Sequence, residues 1–503
     1  MKSARSLLDR IELLKEKPLC FTLNRSQDDD RLSAHFYDRD VLQVIKKLED
    51  CKCITTIENI SQSVKYSDGK WELHDTDYVP SGFPNCVLLL QVLNLRNDGS
   101  LDLNTGREKY IRGEMHRKWR NSQVKPRNIV MGIAGNASVG LSSLIPQDFP
   151  EANMNQNLGL VVLKDKALIV REEIEVNEQY VVDYLNSSFG FAQLIRYGGF
   201  RSSQAGLSTQ EIKSILLPIP KKDIQDKIVE NAHEHLERAW HFEEKFREHS
   251  RELSGLLEKK LGETLPNITN EPFACDPTRI TDRFDYYSNS PDCKRLAAYL
   301  TMIEKSGKTQ LVLGEGLLAK DRRIGKKLAD ELRTETFKYV DIDDVNKDVG
   351  TIDSNQEDIL IKLPTRARQF IKENDVLIPT PIGSTKGITI VSGEYDGHIC
   401  STGFLVIKSK NYDDALLFFG LFKSEIVQRQ LFYLQSGSVQ PSIAYKTFEH
   451  EVKIPIPNDP LKSQLLEKVK QTLTEARTMK QQFEQERACF EESFAESIKA
   501  LLQ

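Results

Sequence analysis

Between Lys222 and Gly262, and again from Asp459 to the C-terminus, charged residues dominate and apolar residues recur at helical spacing. Only Gly255 and Pro460, near the ends of these segments, interrupt the pattern. In the first segment Ala232, Ala239, Phe246 and Leu253 fall every seven residues. In the second, Val469, Ala476, Phe483 and Phe490 do the same, and adding 237 to the first set gives the second. Ile228, Phe242 and Leu256 widen one stripe; Leu466 and Leu473, then Phe494 and Leu501, widen the other. The pattern predicts two helices of about 40 residues, each about 60 Å long. Equal register at equal offset predicts that they bury their stripes against each other. The plainer alternative is two helices packed separately on their own domains.

The offset extends beyond the helices. Leu217-Pro218-Ile219-Pro220 returns as Ile454-Pro455-Ile456-Pro457, each pair of prolines closing a short strand. A polar loop of small residues precedes each, with Gln204 in one and Gln440 in the other. Asn128–Gly135 matches Asp375–Gly383, both short β-rich runs ending in a glycine loop. Asn153-Met154-Asn155-Gln156-Asn157 and Cys400-Ser401-Thr402-Gly403 each lead into an apolar strand, Leu158–Leu163 and Phe404–Ile407. Arg31–Tyr37 is echoed by Arg283–Tyr287. The predicted fold is α+β: two tandem β-rich domains, residues 1–221 and 263–458, separated by helices over 222–262 and 459–503. If the second domain lies at the far end of the first helix, those helices pair antiparallel and the chain has an approximate two-fold axis.

Composition adds mainly exclusions. With 503 residues, 39% hydrophobic and 28% charged, the chain is long enough for several ordinary cores. The N-terminus breaks its apolar residues with charges, unlike a signal peptide. Val87–Leu93 and Ala415–Phe422 fall far short of a membrane span, so a cytoplasmic protein is expected. The eight cysteines are scattered without a CxxC pair, which points to reduced thiols and no metal site. No Pro-Pro step of an amino-methyltransferase occurs, and Leu141 stands where a phosphate loop needs lysine. His233 and His235, two apart on a helix, face different ways. No catalytic residue and no cofactor of this chain's own is expected.

Net charge is −5, but basic residues cluster locally. Arg107, Lys109, Arg112, Arg117, Lys118, Arg120, Lys125 and Arg127 stand against two Glu, with Tyr110 and Trp119 interleaved. In the second half Lys320, Arg322, Arg323, Lys326 and Lys327 surround one acid, Asp321. These are candidate phosphate contacts, and a solvated face is the bland alternative. Asn136, Ser138, Gln204, Ser384, Thr385 and Lys386 in the glycine loops are candidate base or backbone contacts; ordinary turn chemistry is the alternative.

Taken in order across the chain, RLSAHFY, VKPRNIVMGIAG, NMNQN and the twice-written Gln-loop, x-Pro-x-Pro strand and long helix resemble the DNA-specificity subunits of type I restriction–modification systems. The second half departs from that pattern where HICSTG replaces the Asn/Gln-rich step. The resemblance implies a non-catalytic chain with two target-recognition domains, each reading one half of a split, asymmetric site in double-stranded DNA. The paired helices would be a ruler between them and the docking surface for two methyltransferase subunits, with motor–nuclease subunits joining. S-adenosylmethionine, and ATP with Mg2+ for cleavage, would sit on those partners. Rival readings are a coiled-coil scaffold that never touches DNA and a single-chain modification enzyme with a divergent site.

Overall fold

The structure is a computed structural model. It describes residues 39–67, 77–103, 107–135, 138–169, 172–197, 206–269, 273–274, 287–437 and 441–503. The RLSAHFY segment, Asn136, Gln204 and Gln440 lie outside the described residues. The chain divides into two compact units, Met1–Arg238 with Gln485–Gln503, and Ala239–Glu484. The division falls within both long helices.

The described part of the first unit opens with a helix, Arg39–Glu49. Short strands follow: β1 (Ile54–Thr56), β2 (Ser61–Tyr66), β3 (Tyr78–Val79), β4 (Cys86–Leu90), β5 (Lys109–Arg112), β6 (Gln123–Val124), β7 (Ile129–Gly132), β8 (Ser142–Leu144), β9 (Ala152–Met154), β10 (Leu158–Leu163), β11 (Lys166–Ile169), β12 (Glu172–Glu175) and β13 (Leu216–Pro218). One sheet runs β2-β10-β7-β8 and is antiparallel throughout; another runs β3-β5-β4-β9-β6, with β4 and β9 parallel. The apolar runs of β7 and β10 follow from burial on both faces. Ile129, Met131 and Val161 join a core shared with the helices Glu178–Asn186 and Ser188–Tyr197. Val130, Leu158 and Leu160 point the other way, into a core shared with Leu88, Leu90 and Met154 of the second sheet.

The second unit contains a helix, Pro291–Lys305, started by Ser290, whose Oγ accepts from Cys293 N at 3.2 Å. Its strands are β14 (Thr309–Leu313), β15 (Thr336–Val340), β16 (Gln356–Ile359), β17 (Ala367–Phe370), β18 (Val376–Pro379), β19 (Thr389–Ile390), β20 (Ile399–Ser401), β21 (Phe404–Ile407) and β22 (Lys453–Pro457). They form sheets β16-β15-β20-β17 and β19-β18-β21, with β15 and β20 parallel. Two helices, Tyr412–Lys423 and Glu425–Tyr433, share a core with the three-stranded sheet.

The repeat read from the sequence is a repeat of pairings. β13, with its Pro pair, lies antiparallel to β1 as β22 lies to β14. β7 pairs with β10 as β18 pairs with β21. The correspondence reaches single side chains. Gln193 Nε2 donates to Leu216 O and its Oε1 accepts from Leu216 N, both at 2.8 Å. Gln430 does the same to Lys453, both at 2.8 Å. Each buried glutamine pairs with the N–H and C=O on the open side of the Pro-containing strand, and Leu216 O also accepts from the Tyr184 hydroxyl at 3.0 Å.

The long helices run Lys222–Leu261 and Leu461–Leu501. The first ends at Gly262, whose φ of +70° suits glycine and whose N–H returns to Glu258 O at 3.1 Å. In the first unit His235 and Arg238 both reach Glu486, at 2.7 and 3.1 Å, and the His233 ring meets Phe490 edge-on at 5.7 Å. In the second unit Phe246 meets Phe483 at 5.7 Å, His249 faces Glu475, and Lys468 pairs with Glu252 at 3.2 Å. In both units one number falls as the other rises, so the helices pair antiparallel. The α+β fold with two mated long helices is as the sequence predicts. Ile228, Ala232, Ala239, Phe246, Leu253, Val469, Leu473, Ala476 and Phe490 are buried; Phe242, Leu466 and Phe483 are half-buried. Leu465 and Leu236, which the heptads did not single out, are fully buried.

Candidate nucleic-acid interface

The basic run of the first half is shaped by one buried tryptophan. Leaving β5, the chain turns into a short helix, Gly113–Lys118, with Gly113 N donating to Asn85 O at 2.8 Å. A Cβ at Gly113 would come within 2.9 Å of that same carbonyl, so this approach needs glycine. The helix ends on Trp119, which is 2% exposed and packs with Val87, Leu89 and Ile111. Buried Asn153 donates to Trp119 O at 3.0 Å and its carbonyl oxygen contacts the His116 ring. With Trp119 driven inward, Arg117, Lys118 and Arg120 on either side are exposed.

The chain then forms β6 and a tight turn into β7. Asn128 closes this turn, its Oδ1 accepting from Lys125 N at 3.0 Å, while Arg127 adopts a left-handed φ of 66°. Gln123 Nε2 donates to His116 O at 2.8 Å, which holds its amide in place. The facing wall is the edge strand β2, where Ser63 lies opposite Val162 and Lys65 opposite Leu160 of β10.

Between these elements is a cleft of about 830 Å³. Lys65, Arg117, Arg120 and Lys125 supply its charge, Gln62, Ser63, Gln123 and Asn128 its neutral polar groups, and Leu160 and Val162 its apolar floor. Among the described residues no carboxylate lines it. Like charges gathered around a concave, low-dielectric wall focus the field and draw an anion inward. The polar groups match the donor and acceptor edges of nucleic-acid bases.

Arg117, Arg120 and Lys125 were legible in the sequence as part of a basic run. Lys65, Gln62, Ser63, Gln123 and Asn128 were not. The available signal was the strand SQSVKY, whose polar residues on both faces mark an exposed edge.

The other candidates of the first half lie elsewhere. Arg127 is bound to Glu178 and to Asp165, the latter at 2.9 Å. Lys109 sits over the Tyr78 ring at 4.2 Å and Arg112 over the Phe83 ring at 5.3 Å. Arg107 and Lys118 have further partners of their own. Ser138 Oγ donates to Ala134 O at 3.0 Å, closing the glycine turn.

In the second half Lys320 pairs with buried Glu449, and Arg322 with buried Asp375. Burial raises the Asp375 carboxyl despite the Lys372 N–H and the Arg322 guanidinium, which both favour its charged form. Arg323 lies over the Tyr445 ring at 4.1 Å. Lys326 and Lys327 are exposed at the start of a short helix, Lys326–Glu331. Thr385 is buried and donates to Gln428 at 2.8 Å; Ser384 is half-buried and Lys386 exposed. Among the described residues no group of side chains could hold a metal ion, and no helix is long and apolar enough to cross a membrane.

Comparison with known proteins yields matches at the level of family and fold. Three solved structures are similar along most of the chain. One is the S subunit of a type I restriction–modification system from M. genitalium, 14% identical, covering 89% of this chain and 94% of that one, with a TM-score of 0.37. A second, described as showing complex assembly and conformational transition of the type I R-M system, is 12% identical over 88% and 97%, with a TM-score of 0.34. The HsdS subunit from Thermoanaerobacter tengcongensis is 12% identical over 88% and 96%, with a TM-score of 0.30. No curated protein matches the chain. The family match is more specific and falls in the second half, over β15 to β22 and into the C-terminal helix. The resemblance read from the sequence is thereby borne out over residues 318–485, which match the family described as the type I restriction modification DNA specificity domain.

Proposed function

We propose that the chain is a non-catalytic specificity subunit that reads a two-part site in double-stranded DNA for a type I restriction–modification complex. The carrying observation is the first unit's cleft, with four cations, four neutral polar side chains and no carboxylate among its described lining residues. The specificity-domain match in the other half supports a second reader. On this reading the antiparallel helices dock two methyltransferase subunits and set the spacing of the two half-sites, and motor–nuclease subunits join that assembly. Methyl transfer from S-adenosylmethionine and ATP- and Mg2+-dependent cleavage belong to those partners, in the cytoplasm where the DNA is.

The test is equilibrium binding of labelled duplex across a salt series, with the chain alone and with co-expressed methyltransferase subunits. A reader contacting several phosphates loses affinity steeply, log K falling linearly with log salt. A flat salt response in both preparations would leave a scaffold that does not touch DNA. Methyl transfer by the chain alone would make it an enzyme.

A further inference from the structure

The basic clusters of the two halves, eight residues and five, dispose of their charges differently. In the first unit Lys65, Arg117, Arg120 and Lys125 line the cleft, and no carboxylate is among its described lining residues. Arg127, close in sequence, is drawn off by Glu178 and Asp165. In the second unit three of the five cluster residues, Lys320, Arg322 and Arg323, are already engaged within the fold. Lys320 pairs with Glu449, Arg322 with Asp375, Lys408 with Asp321 at 2.6 Å, and Arg366 with Asp341 at 2.5 Å. The Arg323 guanidinium is laid on Tyr445.

This difference matters because phosphate binding draws its salt-dependent free energy from counterions released when a protein cation neutralises a phosphate. A cation that brings its own carboxylate to the backbone is a net-neutral pair. To grip a phosphate it must either carry the repelling carboxylate along or strand that carboxylate, and Glu449 and Asp375 are buried where stranding is costly. An unmatched cation has no such debt.

Resting on the DNA reading above, we infer that the first unit's cleft is the electrostatic anchor of the chain on the DNA phosphodiester backbone. The second unit contributes little phosphate charge and engages its half-site mainly through uncharged contacts. Recognition is split in two, but the grip is not shared equally.

The inference is tested on the full chain by the slope of log K against log salt. Replacing Lys65, Arg117, Arg120 and Lys125 together by Ala should flatten the slope by about 3 to 4. A size-matched set in the second unit, Lys320, Arg323, Lys326 and Lys327 to Ala with Glu449→Gln so that its buried carboxyl is not stranded, should flatten it by less than about 2, because Lys320 is matched by Glu449 and Arg323 is held on the Tyr445 ring. Arg322 is kept, since its loss would strand Asp375. The charge-preserving pair Arg117→Lys and Arg120→Lys should leave the slope as in the parent, which separates lost charge from lost fold. Equal flattening by both sets, or no flattening by the first, overturns the anchor while leaving DNA reading intact. A parent chain with no slope at all overturns the DNA reading itself.

Discussion

Lys423 shows how much one residue can depend on its surroundings. It ends the helix Tyr412–Lys423 and is 4% exposed, its ammonium donating to Lys347 O and, at 2.8 Å, to Lys386 O. Burial pulls its pKa down to about 8, with the nearby Asp348 charge opposing only in part. The unfolded chain holds this proton up to about 10.4. Between those values the unfolded state binds more protons than the folded one, so this residue's contribution to stability rises with pH through the window. Below pH 8 its burial cost is carried in full. Lys423→Met should abolish that rise and cost about 1–3 kcal/mol at pH 7, because two part-buried carbonyls lose their donor. Urea unfolding of both proteins at pH 7 and pH 10 measures it. A parallel pH response of parent and variant would refute the account. Nothing in the sequence around Lys423 distinguishes it from an exposed helix-end lysine.

At the level of elements, the heptads and the Pro-x-Pro strands were readable because helical and strand periodicity are local properties. The half-buried Phe242 and Phe483 and the fully buried Leu236 and Leu465 show where local periodicity stopped sufficing. A helix that packs on a globular domain as well as on a partner helix buries a wider face than an a/d stripe. His233 is an instance: it reaches the buried Asp183 of the helix Glu178–Asn186 at 2.8 Å. Burial works against its imidazolium, but the hydrogen bond and charge of Asp183 outweigh it and raise the pKa. The two glutamine clamps are the other element-scale feature. Gln193→Leu and Gln430→Leu each remove a two-bond lock on a Pro-containing strand. Each should cost about 1–3 kcal/mol through the strand groups left unpaired. Hydrogen exchange at Leu216 and Lys453 should localise each loss to its own strand. Unchanged protection at those amides would show that the clamps contribute nothing.

For the whole molecule, the proposed ruler leads to a prediction about spacing. Deleting one heptad from each long helix shortens each by about 10 Å. The preferred spacer between half-sites should then shrink by roughly one to three base pairs, with both half-site sequences unchanged. Mapping methylated adenines in cells that carry the shortened chain reads this out. An unaltered spacer would mean that the helices do not set it.

Duplication, the two long helices, their mutual pairing and the α+β class could be read from the chain alone, because each leaves a repeat or a period in the order of residues. The cleft could not. Its two walls, Gln62–Lys65 and Arg117–Asn128, are about 50 residues apart and meet only through the pairing of β10 with both β2 and β7. Folding also decided which cations stay unmatched. Arg322 and Arg117 look alike in their basic runs, yet one has Asp375 folded against it and the other faces a cleft with no acid among its described lining residues. Charge matching is settled by contacts between distant segments, so composition and spacing do not encode it.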